Sequence, residues 1–233
     1  MPDLASGLIY YIVFLFSTTL HEAAHAWVAL RGGDPTASRG GQVSLDPRPH
    51  IRREPFGMLI LPVLSVIASG WPVGFASAPY NREWAMRFPQ RAALMALAGP
   101  GANLLLVLVT FGLIRLGYYA GAFAAPDSIR FGHVLTATGT GWMPAIAFML
   151  GAFFCMNLAL ALLNLIPLPP LDGSAVIPLF LSRTASARYQ QFLWTKPFLA
   201  IAGMLVAWRA FPHLFEPVFI MAANFLFPGV RYG

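Results

Sequence analysis

Charge is what this chain has least of. Only 10% of its 233 residues are Asp, Glu, Lys or Arg, against about 25% in an ordinary soluble domain. There is one lysine, Lys196, and one cysteine, Cys155. With 58% hydrophobic residues and a mean hydropathy of +0.65, a water-soluble globular domain is excluded, and the composition is that of an integral membrane protein. The lone Cys155 lies inside an apolar run, so no disulfide framework is possible and the thiol reads as a small core group. The net charge of +6 comes from arginines, most of which fall between the apolar runs. Loop charges of that kind set orientation and meet anionic lipid headgroups, so the bilayer is an expected partner and nucleic acid is not. Internal repeats and a disordered tail are also missing, which leaves one domain spanning residues 1–233.

Five apolar stretches are present, at about 4–30, 56–70, 91–119, 142–166 and 197–227. The first ends at Arg31-Gly32-Gly33, a helix stop. Its N-terminal half resembles a signal-peptide core, but residues 1–6 carry Asp3 and no Lys or Arg, so it is read as a retained span. The second is short and contains Pro62. The last is interrupted by Arg209, Pro212, His213 and Glu216, and reads as a span plus an interfacial helix, or as a helical hairpin. Residues 40–47 alternate weakly and predict a short strand leading into a turn. Trp71 to Asn81 reads as an interfacial or re-entrant loop. The expected fold is therefore an all-α polytopic membrane protein of about five to six transmembrane or re-entrant helices, with a short strand or β-hairpin after the first helix.

The loop after the first span holds Arg31, Arg39, Arg48, Arg52 and Arg53, while no positive side chain precedes that span. This places the loop in the cytoplasm and the N-terminus outside. Arg82, Arg87 and Arg91 put the start of the third span on the same side, so residues 56–90 must cross an even number of times. A re-entrant second stretch does this most simply.

Within the first span lies His21-Glu22-Ala23-Ala24-His25. Ionisable groups inside lipid cost roughly 2.5–3.5 kcal/mol each on insertion scales, so a cluster of them marks a functional site by default. On a helix, residues four apart project from one face. Both imidazoles therefore reach one tetrahedral metal, usually zinc, with Glu22 placed as a general base. A catalytic zinc takes a third protein ligand. Asp172, at the same expected depth, is a candidate, although a turn or helix cap explains Asp172-Gly173 equally well on position alone.

The H-E-x-x-H helix, Gly99-Pro100-Gly101-Ala102-Asn103 in the middle span, and Asn164…Pro167…Leu171-Asp172-Gly173 follow one another as in the site-2 protease family of intramembrane zinc metalloproteases. Gly33-Asp34-Pro35-Thr36, Asp46-Pro47…His50 and Pro55-Phe56-Gly57 resemble its compact bacterial branch without a PDZ domain. The resemblance implies one Zn2+ per chain held by His21, His25 and Asp172, with Glu22 as catalytic base. It implies Asn103 and Asn164 as polar residues lining the active site, for substrate or oxyanion binding. It also implies a catalytic core over about 4–185, with a C-terminal helical segment over 186–233. The expected activity is hydrolysis of peptide bonds in or near transmembrane segments of membrane-protein substrates, in the bacterial inner membrane, with the site toward the cytoplasm. Two departures from the family pattern are the lack of a span before the metal-binding helix and the lack of a periplasmic recognition domain.

Several residues have plainer readings. Gly99 and Gly101 permit close helix packing, with Asn103 as an interhelical hydrogen-bond donor. His50 reads as a surface or gating residue, and Trp71, Tyr80 and Trp142 fit an aromatic belt. A strand near Val43–Leu45 would hold an unwound peptide by β-addition. The competing functional class is a metal-ion or proton transporter using the His/Glu/Asp cluster as a pathway. The absence of an inverted repeat and the presence of both protease motifs argue against it.

Overall fold

The computed structural model describes residues 4–233. Helix α1 (Leu4–Arg31) is followed by the short helices α2 (Thr36–Arg39) and α3 (Pro47–Arg53). A π-helical turn (Phe56–Ile60) leads into α4 (Leu61–Ser69), and α5 (Arg82–Arg87) into the long α6 (Pro89–Tyr119). A two-stranded antiparallel hairpin, β1 (Phe123–Ala124) with β2 (Thr136–Ala137), pairs Phe123 with Ala137 and Ala124 with Thr136. Then come α7 (Met143–Asn164), α8 (Asp172–Val176), a 3-10 turn (Ile177–Phe180), α9 (Arg183–Thr195) and α10 (Phe198–Leu226). Helices α1, α6, α7 and α10 are long and apolar enough to cross a membrane. With the short α4 they fall within the expected range.

Periodicity explains how α1 sits. Leu4, Leu8, Ile12 and Phe16 repeat every fourth residue and are exposed, a stripe suited to lipid. The opposite face buries Tyr10, Phe14, Ser17, His21 and His25 against α6 and α7. At the N-terminal end of α1, Tyr10 donates to the Phe131 carbonyl at 2.9 Å and packs edge-on against Trp71 and Phe148. Beyond it, α6 and α7 share a core around Ile114, Phe154 and Cys155 that Phe219 and Leu226 of α10 complete.

The stretch 56–81 goes in and comes back. Tyr11 donates to the Met58 carbonyl, and a side chain at Gly7 would meet Val66, so α4 climbs toward the start of α1. Gly70 closes α4 in the left-handed conformation, φ 76°. The chain then returns extended: the Phe75 N–H donates to the Gly57 carbonyl, and the Asn81 N–H donates to Asp34 beyond the far end of α1. Trp84 of α5 donates to the Gly32 carbonyl at 3.0 Å. Residues 31–53 and 82–91 therefore lie at one end of the molecule, as the re-entrant reading requires.

Two expectations are corrected. No strand forms over 40–47. Gly41 turns at φ 75°, and Asp46 with Pro47 starts α3, the aspartate accepting from the Arg48 N–H. An N-cap followed by proline at the first helical position outweighs the weak alternation of Val43 and Leu45. Hydrogen bonds from Arg48 also hold the Asp46 carboxyl below the usual carboxylate range. The hairpin that does form joins α6 to α7. The last apolar stretch is one continuous helix, with Pro212 and Pro217 inside it. Phe211, Phe215 and Phe219 stack in sequence at 5.3 and 5.4 Å, and that ladder carries the helix past both prolines. Arg209, His213 and Glu216 are all exposed on it.

Candidate metal centre and cavity

His21, Glu22 and His25 are each about 5–6% exposed. The His21 and His25 Nε2 atoms lie 3.0 Å apart. Asp172, the first residue of α8, brings its Oδ2 to 3.0 Å from His21 Nε2 and 3.3 Å from His25 Nε2. The break after α7 makes this reach possible: Pro167, Pro169 and Pro170 end the helix and fold the chain back. Gly173 fits there because any side chain would run into the Leu165 and Ile166 carbonyls.

The other ring nitrogens fix the tautomers. His25 Nδ1 is 2.7 Å from the Met95 carbonyl, an acceptor only, so Nδ1 carries the proton. His21 Nδ1 is 2.6 Å from Asn103 Oδ1. Asn103 in turn donates to Asn157 Oδ1 at 2.8 Å, and Asn157 donates to Ser17 Oγ at 2.9 Å. With Nδ1–H a donor on both rings, the neutral imidazoles present two bare Nε2 lone pairs to each other and to a carboxylate oxygen. With both imidazoles neutral, three acceptors converge with no donor among them, an arrangement that a bound cation stabilises. Ligands bonded to zinc at about 2.0–2.1 Å in a tetrahedron are separated by about 3.3–3.4 Å, close to the observed spacings. The donor set fits zinc, and Asn103 and the Met95 carbonyl have the outer partners' role of fixing ring orientation.

Helix α6 lies close against the pair. A Cβ at Gly99 would collide with His25 and His21 Nε2, whereas one at Gly101 would meet nothing within 4 Å. Gly99 is therefore demanded by the imidazoles, and Gly101 is not. Pro100 has no N–H to donate, so it leaves the Ala96 carbonyl, one residue beyond Met95, without its helical partner.

A cavity of about 390 Å³ opens beside these groups, walled by Glu22, His25 and Asp172 on one side. The returning extended segment contributes Ala76, Ala78 and Tyr80, and α9 contributes Tyr189, Gln190 and Trp194. Glu22 Oε2 is buried and has no hydrogen-bond partner. The cavity walls reach Ala200.

The structure brings His21, Glu22, His25 and Asp172 together. Asn103 is fully buried behind His21 and does not line the cavity. Asn164 does not reach it either; its Nδ2 donates to the Leu160 carbonyl of its own helix at 3.0 Å. His50 is not a surface residue: it is 1% exposed, with Nε2 3.1 Å from the Ser44 carbonyl. Trp71 packs into the interior end of α1, while Trp142 is 70% exposed. Sequence reasoning missed Ser17, Asn157 and Gln190. Asn157, a bare amide in the middle of an apolar span, was the available signal, since such a group needs a partner.

Four apolar helices around a buried H-E-x-x-H pair and an aspartate define a polytopic membrane protein with a site of metal-ligand type. The chain belongs to peptidase family M50, whose model matches residues 9–204. It is 35% identical over 170 residues to "Putative zinc metalloprotease YwhC" of Bacillus subtilis, covering 71% of this chain and 66% of that protein. "Putative zinc metalloprotease Rip2" of Mycobacterium tuberculosis is 33% identical over 179 residues, covering 76% and 59%. Rip2 of Mycolicibacterium smegmatis is 32% identical over 160 residues, covering 69% and 52%. The chain thus spans between about half and two thirds of the length of these relatives. No solved structure gives a significant match.

Proposed function

We propose that this chain is a zinc-dependent endopeptidase that cuts membrane proteins in or near their transmembrane segments. The observation that carries this reading is the convergence of three acceptor atoms, His21 Nε2, His25 Nε2 and Asp172 Oδ2, beside an unpartnered buried carboxylate, Glu22. Membership of a peptidase family and the zinc-metalloprotease names of its relatives support it. His21, His25 and Asp172 would hold the ion, one per chain. When bound, zinc acidifies a water toward pKa about 7 and supplies positive charge opposite a developing oxyanion.

The chain's own groups do the rest. Glu22 faces the cavity, accepts the proton of the attacking water and passes it to the leaving amine. Asn103 and the Met95 carbonyl keep both rings aimed and both Nε2 atoms free. The catalytic unit extends through α9, because α9 closes the cavity. Asn103 is buried behind His21 and Asn164 is absent from the cavity wall, so neither is assigned an oxyanion role in this reading.

A transmembrane helix hides its carbonyls in i→i−4 hydrogen bonds and must unwind before it can be cut. The extended segment 72–80, rather than residues 43–45, is suited to hold the unwound peptide. Its Ser77 carbonyl is taken by Gln42 and Arg53 on one side, while Ala76 and Ala78 line the cavity. Strand addition at such an edge is a common mode of peptide capture.

Orientation follows from charge. Eight of the arginines (31, 39, 48, 52, 53, 82, 87 and 91), with Arg183, Arg188 and Lys196, lie at the site end of the bundle, against Arg115, Arg130 and Arg231 toward the other. That asymmetry makes the site end cytoplasmic in a bacterial cell membrane. The test is release of defined fragments from a purified single-span substrate by the zinc-loaded protein. Glu22→Ala should keep the metal and release none. Equal cleavage by Glu22→Ala would overturn the reading.

A further inference from the structure

The wall of the cavity contains a polar group that the proposed chemistry leaves idle. Gln190 of α9 is 9% exposed, lines the cavity, and has a buried amide oxygen with no hydrogen-bond partner. The amide turns its oxygen to the buried side, where no donor meets it. Its surroundings make this unusual. The neighbouring polar groups on α9 are satisfied: the Tyr189 hydroxyl donates to the Ser174 carbonyl at 2.9 Å, and the Ser186 hydroxyl to the Pro178 carbonyl. Alanines make up a third of the cavity's lining residues, among them Ala76, Ala78, Ala92 and Ala96. These side chains offer room but no donor.

A glutamine sealed in an apolar wall weakens the fold unless something completes it. We infer that Gln190 is a substrate-binding residue whose amide accepts a hydrogen bond from a main-chain N–H of the unwound peptide. The inference rests on the proposed peptidase reading of the site. The geometry supplies the occupant: an unwound segment enters with main-chain N–H groups released from their helical partners, so donors arrive with any sequence. The extended segment 76–80 forms one wall of the same cavity and α9 another. A peptide lying along Ala76 and Ala78 is therefore within the same enclosure as Gln190. The placement of α9 is held by Arg82, whose guanidinium sits 5.4 Å from the Trp194 ring centroid, and by Tyr189. Gln190 is thus presented from a fixed helix rather than a loop.

The probe is a synthetic single-span Leu/Ala peptide with a central Gly-Pro break, together with a series in which one amide at a time near the break is replaced by an ester. The ester removes one N–H. Binding is read by fluorescence anisotropy on the zinc-loaded protein carrying Glu22→Gln, with either Gln190 or Gln190→Met. With Gln190, one ester position should bind roughly 3- to 10-fold more weakly than the all-amide probe, the worth of one net hydrogen bond. With Gln190→Met, that discrimination should vanish while the other positions are unchanged. Gln190→Met should also melt no lower than its parent, because it replaces an unpaired polar group by an apolar one of similar length. A residue serving only the fold would lower the melting temperature and leave the ester profile alone. The inference is overturned if both variants show the same ester profile, or if the all-amide probe does not bind. If the probe binds with the expected profile but the protein with Glu22 intact never cleaves it, the peptidase reading fails and the Gln190 contact stands.

Discussion

Adding one methyl group at Gly99 should cost this protein its metal, and adding one two residues later should not. A Cβ at position 99 would lie 2.5 Å from His21 Nε2, 2.6 Å from His25 Cε1, and closer still to His25 Nε2. Neither ring can swing aside without loss, because each holds a hydrogen bond at Nδ1, to Asn103 at 2.6 Å and to the Met95 carbonyl at 2.7 Å. Overpacking by one methyl in a tight interior costs about 1–3 kcal/mol. Here the displacement falls on the two Nε2 atoms proposed to hold zinc, so most of that cost should appear as lost zinc affinity. At about 1.4 kcal/mol per tenfold change, the expected weakening is about 5- to 150-fold. Fold stability without metal should change less, because alanine gains about 0.8–1.0 kcal/mol over glycine in a helix. Gly101→Ala, with nothing within 4 Å of its Cβ, should keep the parent's zinc affinity. The measurement is zinc competition against a chelator of known affinity, with thermal melts in zinc and in excess chelator. If Gly99→Ala binds zinc as tightly as Gly101→Ala, the imidazoles are not where the geometry puts them.

Other consequences are open to test. Asn103→Leu strips the partner from His21 Nδ1 and from Asn157, so zinc affinity should fall about 10- to 100-fold, whereas Asn164→Leu, acting on its own helix only, should leave it unchanged; chelator competition on both variants decides. Metal analysis should find about one zinc per chain in the parent and little in a His21→Ala/His25→Ala double variant, and full occupancy of that variant would remove these residues from the site. On a Cys155→Ala background, Leu45→Cys and Phe180→Cys should react with an impermeant thiol reagent only after cells are opened, while Trp142→Cys should react in intact cells; the reverse pattern would invert the topology.

The four long helices were legible because span length and apolarity are local properties, and the His21/His25 pair because helical spacing alone puts both on one face. Asp172 was half legible: a carboxylate after a proline-rich break was visible, but whether it turned inward or capped an exit depended on the path of 165–171. The strand expected at 40–47 failed because Asp46-Pro47 carries a stronger helix-start signal than two alternating apolar residues carry for a strand. The last stretch departs from its expectation because its prolines and charges interrupt the apolar pattern without interrupting the helix. In the fold, Phe211, Phe215 and Phe219 bind the helix together while Arg209, His213 and Glu216 face outward. Ser17, Asn157 and Gln190 could not be paired from sequence, since their significance lies in contacts between helices or across a cavity.

The buried polar chain from Ser17 through Asn157 and Asn103 to His21 has a physical consequence for how the site is built. It ties α1, α6 and α7 together with hydrogen bonds of 2.6–2.9 Å at the depth where His21 and His25 sit. Helix packing in lipid lacks a hydrophobic drive, so small residues and interhelical hydrogen bonds carry much of the specificity. Here one network does both jobs: it registers three helices against each other and sets the His21 tautomer. The histidine cannot lose its orientation unless the helices also lose their register. Asp172 and the α9 wall depend on different contacts, through the proline break and the Arg82–Trp194 stack. The His21/His25 pair is therefore rigidly framed, while the cavity beside it is closed by elements that lie outside that frame.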